Sequence, residues 1–149
     1  DQILERERQE RARPVVVTLV LGGQRVQISH SQFDMGQLRD VFDGDNFSLA
    51  RGLEANPLVF DFTFPQPRPI GGLSVSMGTM AYKLTVSLYA DSASQPVVYE
   101  QTSPTSRPDP VAAFTFDRGP ATVVRLRLEI LHLNVGEEVH IHVREIVLK

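Results

Sequence analysis

The sequence contains no cysteine and no tryptophan among its 149 residues. Without cysteine, disulfide bonds and thiolate metal sites are excluded. The apolar runs are short: Val15 to Leu21 falls far below the roughly 20 residues of a membrane-spanning helix, so we expect no membrane insertion. Neither charge dominates, since 15 Lys and Arg against 18 Asp and Glu give a net charge of −3. This balance lacks the basic surface that nucleic-acid binding requires.

The first fourteen residues differ in pattern from the rest of the chain. Leu4 to Arg13 interleave opposite charges with almost no apolar spacing, which is typical of a solvated helix or linker with no face to bury. Pro14 ends this segment. We therefore predict a charged linker or helical segment over 1–14 and one domain over 15–149, a length that suits a single core. Because the chain opens with Asp1 rather than Met, we expect it to be part of a longer protein.

From residue 15 onward apolar and polar residues alternate, as they do in half-buried strands. Gly22-Gly23 separates two such runs and suits the positive φ angles of a tight hairpin turn. The predicted strands are Val15 to Leu21, Gln24 to Ser29, Leu58 to Phe64, Leu73 to Met77, Tyr82 to Tyr89, Gln95 to Gln101, Val111 to Phe116, Ala121 to Leu131 and Glu138 to Lys149. Eight or nine short strands without an amphipathic helix favour an all-β, antiparallel two-sheet sandwich, with a closed barrel as the alternative.

Three stretches are predicted to interrupt this pattern. The prolines at 65, 67 and 69 are expected to break the hydrogen-bond ladder, because proline has no N–H to donate. A Pro/Ser/Thr-rich loop is predicted over Thr102 to Pro110. One short helical turn is predicted around Met35 to Val41.

One loop has a composition that suits a metal ion. Asp40 to Ser48 carry three carboxylates and other oxygen donors within nine positions, and calcium takes roughly six to eight oxygen ligands from side chains and backbone carbonyls. The alternative is an ordinary Asp-Gly turn, in which Asp hydrogen-bonds the backbone and Gly adopts the left-handed conformation. The residues alone leave both interpretations open.

Glu145 lies in the last predicted strand, where strict alternation places it on the same side as Val139, Ile141 and Val143. A carboxylate on an apolar face is costly unless a cation, an Arg or backbone N–H groups pair with it. The alternative is a β-bulge that shifts the alternation, in which case Glu145 faces water.

A series of short motifs runs in a fixed order through residues 35 to 149. They are Phe42-Asp43-Gly44-Asp45 followed by Ser48, the alternating strand Leu58 to Phe64, Val124-Arg125-Leu126, and a closing Glu145-Ile146. This order resembles the galactose-binding-like sandwich, a group that includes discoidin and coagulation-factor C-type domains and family 32 carbohydrate-binding modules. The resemblance implies an eight-stranded jelly roll with a structural calcium ion, whose ligands would be Asp43, Asp45, Ser48, Glu145 and a backbone carbonyl near Val41.

The sequence departs from the family pattern in its aromatic residues. Ala50 stands where many members have tryptophan, and a tryptophan-containing turn of the family is replaced by Ala90 to Ser94. Aromatic side chains stack against the apolar faces of sugars, so a chain with no Trp and three Tyr has little of what a lectin uses. The resemblance therefore supports the fold more strongly than the ligand.

These observations predict a non-catalytic accessory module outside the cytoplasm, joined through its charged N-terminal segment to a larger enzyme or membrane-bound protein. The resemblance implies a glycan ligand bound by the loops at one end of the sandwich, and the candidate contacts are His30, Arg51, Tyr82 and Arg107. The alternative, which the missing tryptophan favours, is a structural or protein-interaction domain that has lost sugar binding. Catalysis is not expected, because no Ser/His/Asp order or nucleophile elbow is recognisable.

Overall fold

The computed structural model of the chain describes residues 1–134, 136 and 140–149. These residues form one α-helix, one 3₁₀ turn and eleven strands. In chain order the elements are α1 (Gln2–Ala12), β1 (Val15–Leu21), β2 (Gln24–His30), β3 (Phe33–Met35), the 3₁₀ turn (Leu38–Val41), β4 (Ala50–Gly52), β5 (Leu58–Arg68), β6 (Gly72–Met77), β7 (Met80–Tyr89), β8 (Val97–Arg107), β9 (Val111–Thr115), β10 (Val123–His132) and β11 (His142–Leu148).

The strands form two antiparallel sheets. Sheet A has six strands in the order β1-β2-β5-β10-β7-β8, and sheet B has five in the order β3-β4-β11-β6-β9. One hydrophobic core lies between the two layers. The predicted all-β two-sheet sandwich is therefore confirmed.

The core follows from the alternation on three long strands at the centre of sheet A. Every second residue of β5, β7 and β10 points inward, because successive side chains of a strand alternate between its faces. The inward residues are Leu58, Phe60, Phe62, Phe64, Tyr82, Leu84, Val86, Leu88, Leu126, Leu128 and Ile130, all of them buried. Burying one Leu or Phe side chain contributes ~1.5–3 kcal/mol, so this alternation is the main stabilising feature that the sequence encodes.

Strand β5 continues through two of the prolines that are predicted to break it. It includes Pro65 and Pro67 and ends at Arg68, so the strand does not end at the prolines, although its ladder is interrupted there as predicted. Pairing of β5 with β2 ends at Thr63, and its pairing with β10 skips from Thr63 to Arg68 across a bulge. The prolines lie where the ladder is already interrupted, and their missing N–H groups therefore cost no sheet hydrogen bond.

The predicted loop over 102–110 is also too long, because β8 extends to Arg107. Strand β8 is an edge of sheet A, and its pairing with β7 shifts register between Ser103 and Arg107. Pro104 falls within that irregular stretch. A proline on an edge strand at a bulge is tolerated, so the residue types that predict a loop are compatible with a strand here.

The short helical turn and the last strand also begin later than predicted. The helical turn expected around Met35 to Val41 forms only over Leu38–Val41, because Met35 ends strand β3. The last strand begins at His142, and its predicted start at Glu138 lies outside the described residues.

Helix α1 lies outside both layers and has no buried residue. Asp1 caps its N-terminus by accepting hydrogen bonds from two backbone N–H groups. The contacts of the segment with the sandwich include an ion pair of Arg11 with Glu54 at 3.1 Å and a hydrogen bond from Gln32 to the backbone carbonyl of Arg13 at 2.9 Å. No helix among the described residues is long and apolar enough to cross a membrane.

Candidate functional site

A β-bulge in β11 decides where Glu145 points. Val143 pairs with Met77 while Glu145 pairs with Ser76, so Arg144 is the extra residue of the bulge. Residues that pair directly across two strands share one face of the sheet. Met77 is buried in the core and Ser76 is not, so the bulge moves Glu145 to the outer face of sheet B. The strict alternation that places Glu145 beside Val143 is therefore wrong.

Glu145 is nevertheless only 7% exposed, because the Asp-Gly loop covers it. Gly44 donates its backbone N–H to both carboxylate oxygens, at 2.8 and 3.2 Å. Burial, together with the negative charges of Asp43 and Asp45, raises the pKa of the Glu145 carboxyl above its usual value, and the Gly44 N–H opposes this change. The bulge thus does not leave Glu145 facing water, and a backbone N–H is its partner.

The side chains of the Asp-Gly loop hydrogen-bond the loop's own backbone. Asp43 Oδ1 accepts the N–H of Asp45 at 2.9 Å, and Asp45 Oδ1 accepts the N–H of Phe47 at 2.9 Å. Gly44 has a φ of 76°, in the left-handed region that glycine adopts without a steric cost. These are the bonds of Asx turns, so the turn expected from the residue types is present.

Several oxygen atoms of this loop converge on the hydroxyl of Ser48. Ser48 Oγ lies 2.5 Å from Asp43 Oδ2, 2.9 Å from the backbone oxygen of Asp45 and 3.1 Å from that of Asp40. The hydrogen bond from Ser48 lowers the pKa of Asp43, which favours the ionised carboxylate. A hydroxyl has a single hydrogen, so two of its three oxygen neighbours face it without a proton between them.

Crowded hard oxygen atoms of this kind are the donors that Ca²⁺ prefers. A cation would also neutralise the carboxylates of Asp43, Asp45 and Glu145, whose mutual repulsion contributes to the raised pKa of Glu145. The types of donor atom present here suit the ion, and a calcium site at this loop stays a prediction. Side chains alone do not suffice, since no three His, Cys, Asp or Glu residues in the described part of the chain form a metal cluster.

The four candidate ligand contacts lie at one end of the sandwich. His30 ends β2, Tyr82 is near the start of β7, and Arg107 ends β8, all at the same end of sheet A. The short link between β6 and β7 joins this end to the end of sheet B that carries Arg51. His30 and Tyr82 are 4% and 7% exposed, whereas the two arginines are accessible to solvent. A role in ligand binding stays a prediction for all four.

The ring of His30 is held in place by neighbouring residues at this end of the sandwich. Its ring stacks on Phe33 with centroids 4.3 Å apart, and its Nδ1 lies 2.7 Å from the backbone oxygen of Ser31. Burial lowers the pKa of His30, which the contact with Ser31 opposes. The ring therefore favours its neutral form, in which Nδ1–H donates to the Ser31 carbonyl.

Arg51 belongs to a polar cluster that sequence reasoning did not identify. Asp34 accepts two hydrogen bonds from Arg51, at 2.7 and 3.2 Å, and lies 3.7 Å from Nδ1 of His140. His140 Nδ1 also lies 2.9 Å from the backbone oxygen of Gly52. The hydrogen bond from Arg51 lowers the pKa of Asp34. The only signal in the sequence is the alternation Phe33-Asp34-Met35, which is too short to predict a strand.

No family model and no curated protein matches the sequence. The structure, in contrast, is similar to solved family 32 carbohydrate-binding modules. The Clostridium perfringens module CpGH89CBM32-6 superposes with a TM-score of 0.64 at 9% identity, over 83% of this chain and 92% of that chain.

Two further modules were solved with bound sugars. The family 32 module of AlyQ in complex with 4,5-unsaturated mannuronic acid gives a TM-score of 0.60 at 15% identity, over 82% of this chain and 92% of that chain. The family 32 module of Clostridium perfringens NanJ in complex with galactose gives 0.57 at 11% identity, over 90% and 98%. The expected galactose-binding-like sandwich, of the type seen in family 32 modules, is thus confirmed as the fold of this chain.

Proposed function

We propose that this chain is a non-catalytic accessory module that binds carbohydrate as part of a larger extracytoplasmic protein. The observation that carries the proposal is the fold, which the chain shares with modules solved in complex with a galactose or an unsaturated mannuronic acid. One fold hosts many functions, so the proposal also needs a surface with suitable chemistry.

The end of the sandwich that carries Asp34, Arg51 and His140 offers such a surface. A sugar hydroxyl both donates and accepts hydrogen bonds, and these three partly exposed side chains supply a carboxylate acceptor, guanidinium donors and an imidazole. Arg107 adds a second accessible guanidinium at the same end. In this proposal the buried His30 and Tyr82 support the surface from within and do not contact the sugar directly.

A glycan array followed by calorimetric titration of the sugars that bind tests the proposal. We expect Arg51→Ala to weaken binding by about tenfold, equivalent to ~1.4 kcal/mol. Arg25→Ala is the matched control, because Arg25 is an exposed arginine on the other sheet. Uniformly flat responses on the array and in titrations at millimolar sugar would remove the carbohydrate proposal.

The proposal includes a structural Ca²⁺ ion in the Asp-Gly loop. Asp43, Asp45, Ser48 and Glu145 would hold it, together with the backbone carbonyl of Asp40, one residue before the position expected from the resemblance. Bound there, the ion would balance the carboxylate charges and fasten the loop to β11. The convergence of oxygen atoms on Ser48 supports this assignment.

A protein-interaction domain is the second candidate, and strand β1 favours it. This strand has a sheet partner on one side only, and its outward residues Val16 and Val20 are 58% and 68% exposed. An unpaired, apolar edge is a surface for pairing with a strand of another chain. If it serves this role, light scattering shows an oligomer at micromolar concentration that Val20→Lys converts to a monomer. A monomeric wild type would count against self-association.

A further inference from the structure

A pocket of about 450 Å³ opens on the outer face of sheet B, beside the Asp-Gly loop. Its lining comes from four separate parts of the chain: Asn46 and Phe47 of the loop, Ser76 of β6, Asp109 and Val111 at the start of β9, and Arg144 of β11. No residue of the Asp34–Arg51–His140 cluster lines it, although Arg51 pairs with His142, two residues before Arg144.

Phe47 is the most exposed large apolar side chain of the described residues, at 94%. The ring buries almost no area within the chain and therefore contributes nothing to the core. Its backbone is nevertheless held in place, since the N–H of Phe47 donates to Asp45 and the adjacent Ser48 hydroxyl contacts Asp43. A flat apolar ring on a pinned loop is suited to stacking against the apolar face of a ligand, with little conformational entropy to lose.

Arg144 contributes unused hydrogen-bond donors to the same pocket. Its guanidinium donates to the backbone oxygen of Asn46 at 3.2 Å and to Asp109 Oδ1 at 3.3 Å. A guanidinium has five N–H donors, and these two bonds use one from each terminal nitrogen, so each terminal nitrogen keeps one N–H for a ligand. The β-bulge makes Arg144 the extra residue of its strand, and bulges often re-aim side chains at functional sites.

Asp109 supplies the matching acceptor. Its carboxylate is largely exposed beside Arg144, and its φ of 40° lies in the left-handed region, which non-glycine residues rarely adopt. Such strained positions cluster at ligand-binding sites. The pocket therefore combines a stacking ring, a partly free donor and an exposed acceptor.

The charges around the pocket select among sugars. Among the described lining residues, Arg144 is the one cation and Asp109 the one anion, and their charges cancel. An acidic sugar would compete with Asp109 for Arg144, whereas a neutral sugar can donate to Asp109 and accept from Arg144. We infer that this pocket is a second sugar-binding site, with a neutral pyranose stacked on Phe47, an inference that rests on the proposed carbohydrate function.

The test is a titration of the ¹⁵N-labelled full chain with methyl β-galactoside, methyl β-glucoside, methyl α-mannoside and galacturonate, followed by NMR. We expect at least one neutral glycoside to shift the backbone amides of Asn46, Phe47 and Val111. Phe47→Ala should raise the Kd measured at these amides by about tenfold, while Phe47→Trp should preserve binding. Val98→Ala, at another exposed apolar position, is the control. Because Phe47 is not buried, its variants should keep the wild-type melting temperature.

Asp109→Asn separates a binding role from a merely structural one. It keeps the size of the side chain but removes the negative charge, so we expect weaker binding of the neutral sugar and a relative gain for galacturonate. Tighter binding of galacturonate than of neutral sugars to the wild type would overturn the inference. Shifts confined to Arg51 and His140, unaffected by Phe47→Ala, would overturn it and leave the proposed function standing. If no sugar shifts any amide and the glycan array is flat, both fail.

Discussion

Gly44 and Glu145, 101 positions apart in the chain, are joined by two hydrogen bonds from one backbone N–H to the two carboxylate oxygens. The contact fastens a loop that precedes most of the sandwich to the last strand. It also gives a nearly buried carboxylate a donor that offsets part of the cost of desolvating its charge. Glu145 therefore helps to fix the Asp-Gly loop against β11.

Glu145→Ala should lower the free energy of unfolding by about 1–3 kcal/mol, because it removes a charged acceptor and leaves the Gly44 N–H without a partner. Glu145→Gln keeps one oxygen acceptor and should cost less. Urea denaturation followed by circular dichroism measures both. Glu100→Ala is the control, since Glu100 forms only an exposed ion pair with Lys83 and should change stability by less than about 0.5 kcal/mol. Equal midpoints for Glu145→Ala and the wild type would contradict the expected role.

Calcium should raise the melting temperature of the wild type, and chelation should reverse the change. An ion that binds only the folded state adds ~2.7 kcal/mol at a concentration of 100 times its Kd. Asp43→Ala and Glu145→Ala should abolish the response. Asp91→Ala should retain it, because Asp91 caps a different turn by bonding the backbone of Ala93 and Ser94. If the melting temperature of the wild type is the same with calcium and with chelator, the folded chain binds no such ion.

The pH dependence of stability should carry a contribution from His30. Burial lowers its pKa in the folded state. In the unfolded chain His30 has the ordinary histidine pKa of about 6.5. Between these two pKa values the unfolded state binds more protons than the folded state. The contribution of His30 to the free energy of unfolding is therefore fully present above about pH 6.5 and is lost as the pH is lowered. Urea denaturation from pH 7.5 to 5 measures the slope.

His30→Gln should reduce that slope without removing it, because burial also lowers the pKa of His142 and gives a contribution of the same sign. The double variant His30→Gln/His142→Gln should be flatter still over the same range. A slope that is unchanged in His30→Gln would show that the histidine titrates alike in both states. The comparison uses slopes, so the loss of packing against Phe33 in the variant does not disturb it.

The sequence predicts the centre of the sandwich well and its margins poorly, for a physical reason. Strands such as β5 and β7 are long enough for a period of two to be visible, and residues such as Phe60 and Leu84 are buried as that period requires. Strands β3 and β4 have three residues each, too few for any period. Their pairing depends on partners distant in the chain.

The same limit applies to the candidate sites. The family resemblance implies that the Asp-Gly loop and Glu145 meet, and the structure places them in contact. The bulge at Arg144 follows from pairing with β6, which no local pattern encodes. The sequence therefore gives no basis for grouping Arg144, Asp109 and Phe47. The bulge at Arg144, the loop at Asp109 and the exposed ring of Phe47 come together only in the folded chain.

Alanine substitutions at Gly36 and Gly23 test how closely the turn after β3 approaches the chain just before β4. Their φ angles are 79° and 78°, so replacement by alanine imposes the same backbone strain of about 1–2 kcal/mol at both positions. A Cβ on Gly23 would meet nothing within 4 Å, whereas one on Gly36 would collide with the backbone carbonyl of Leu49. Gly36→Ala should therefore cost about 1–3 kcal/mol more than Gly23→Ala in urea denaturation. Equal losses would mean that the chain at Leu49 moves aside freely, and the turn after β3 would then not be fixed by this contact.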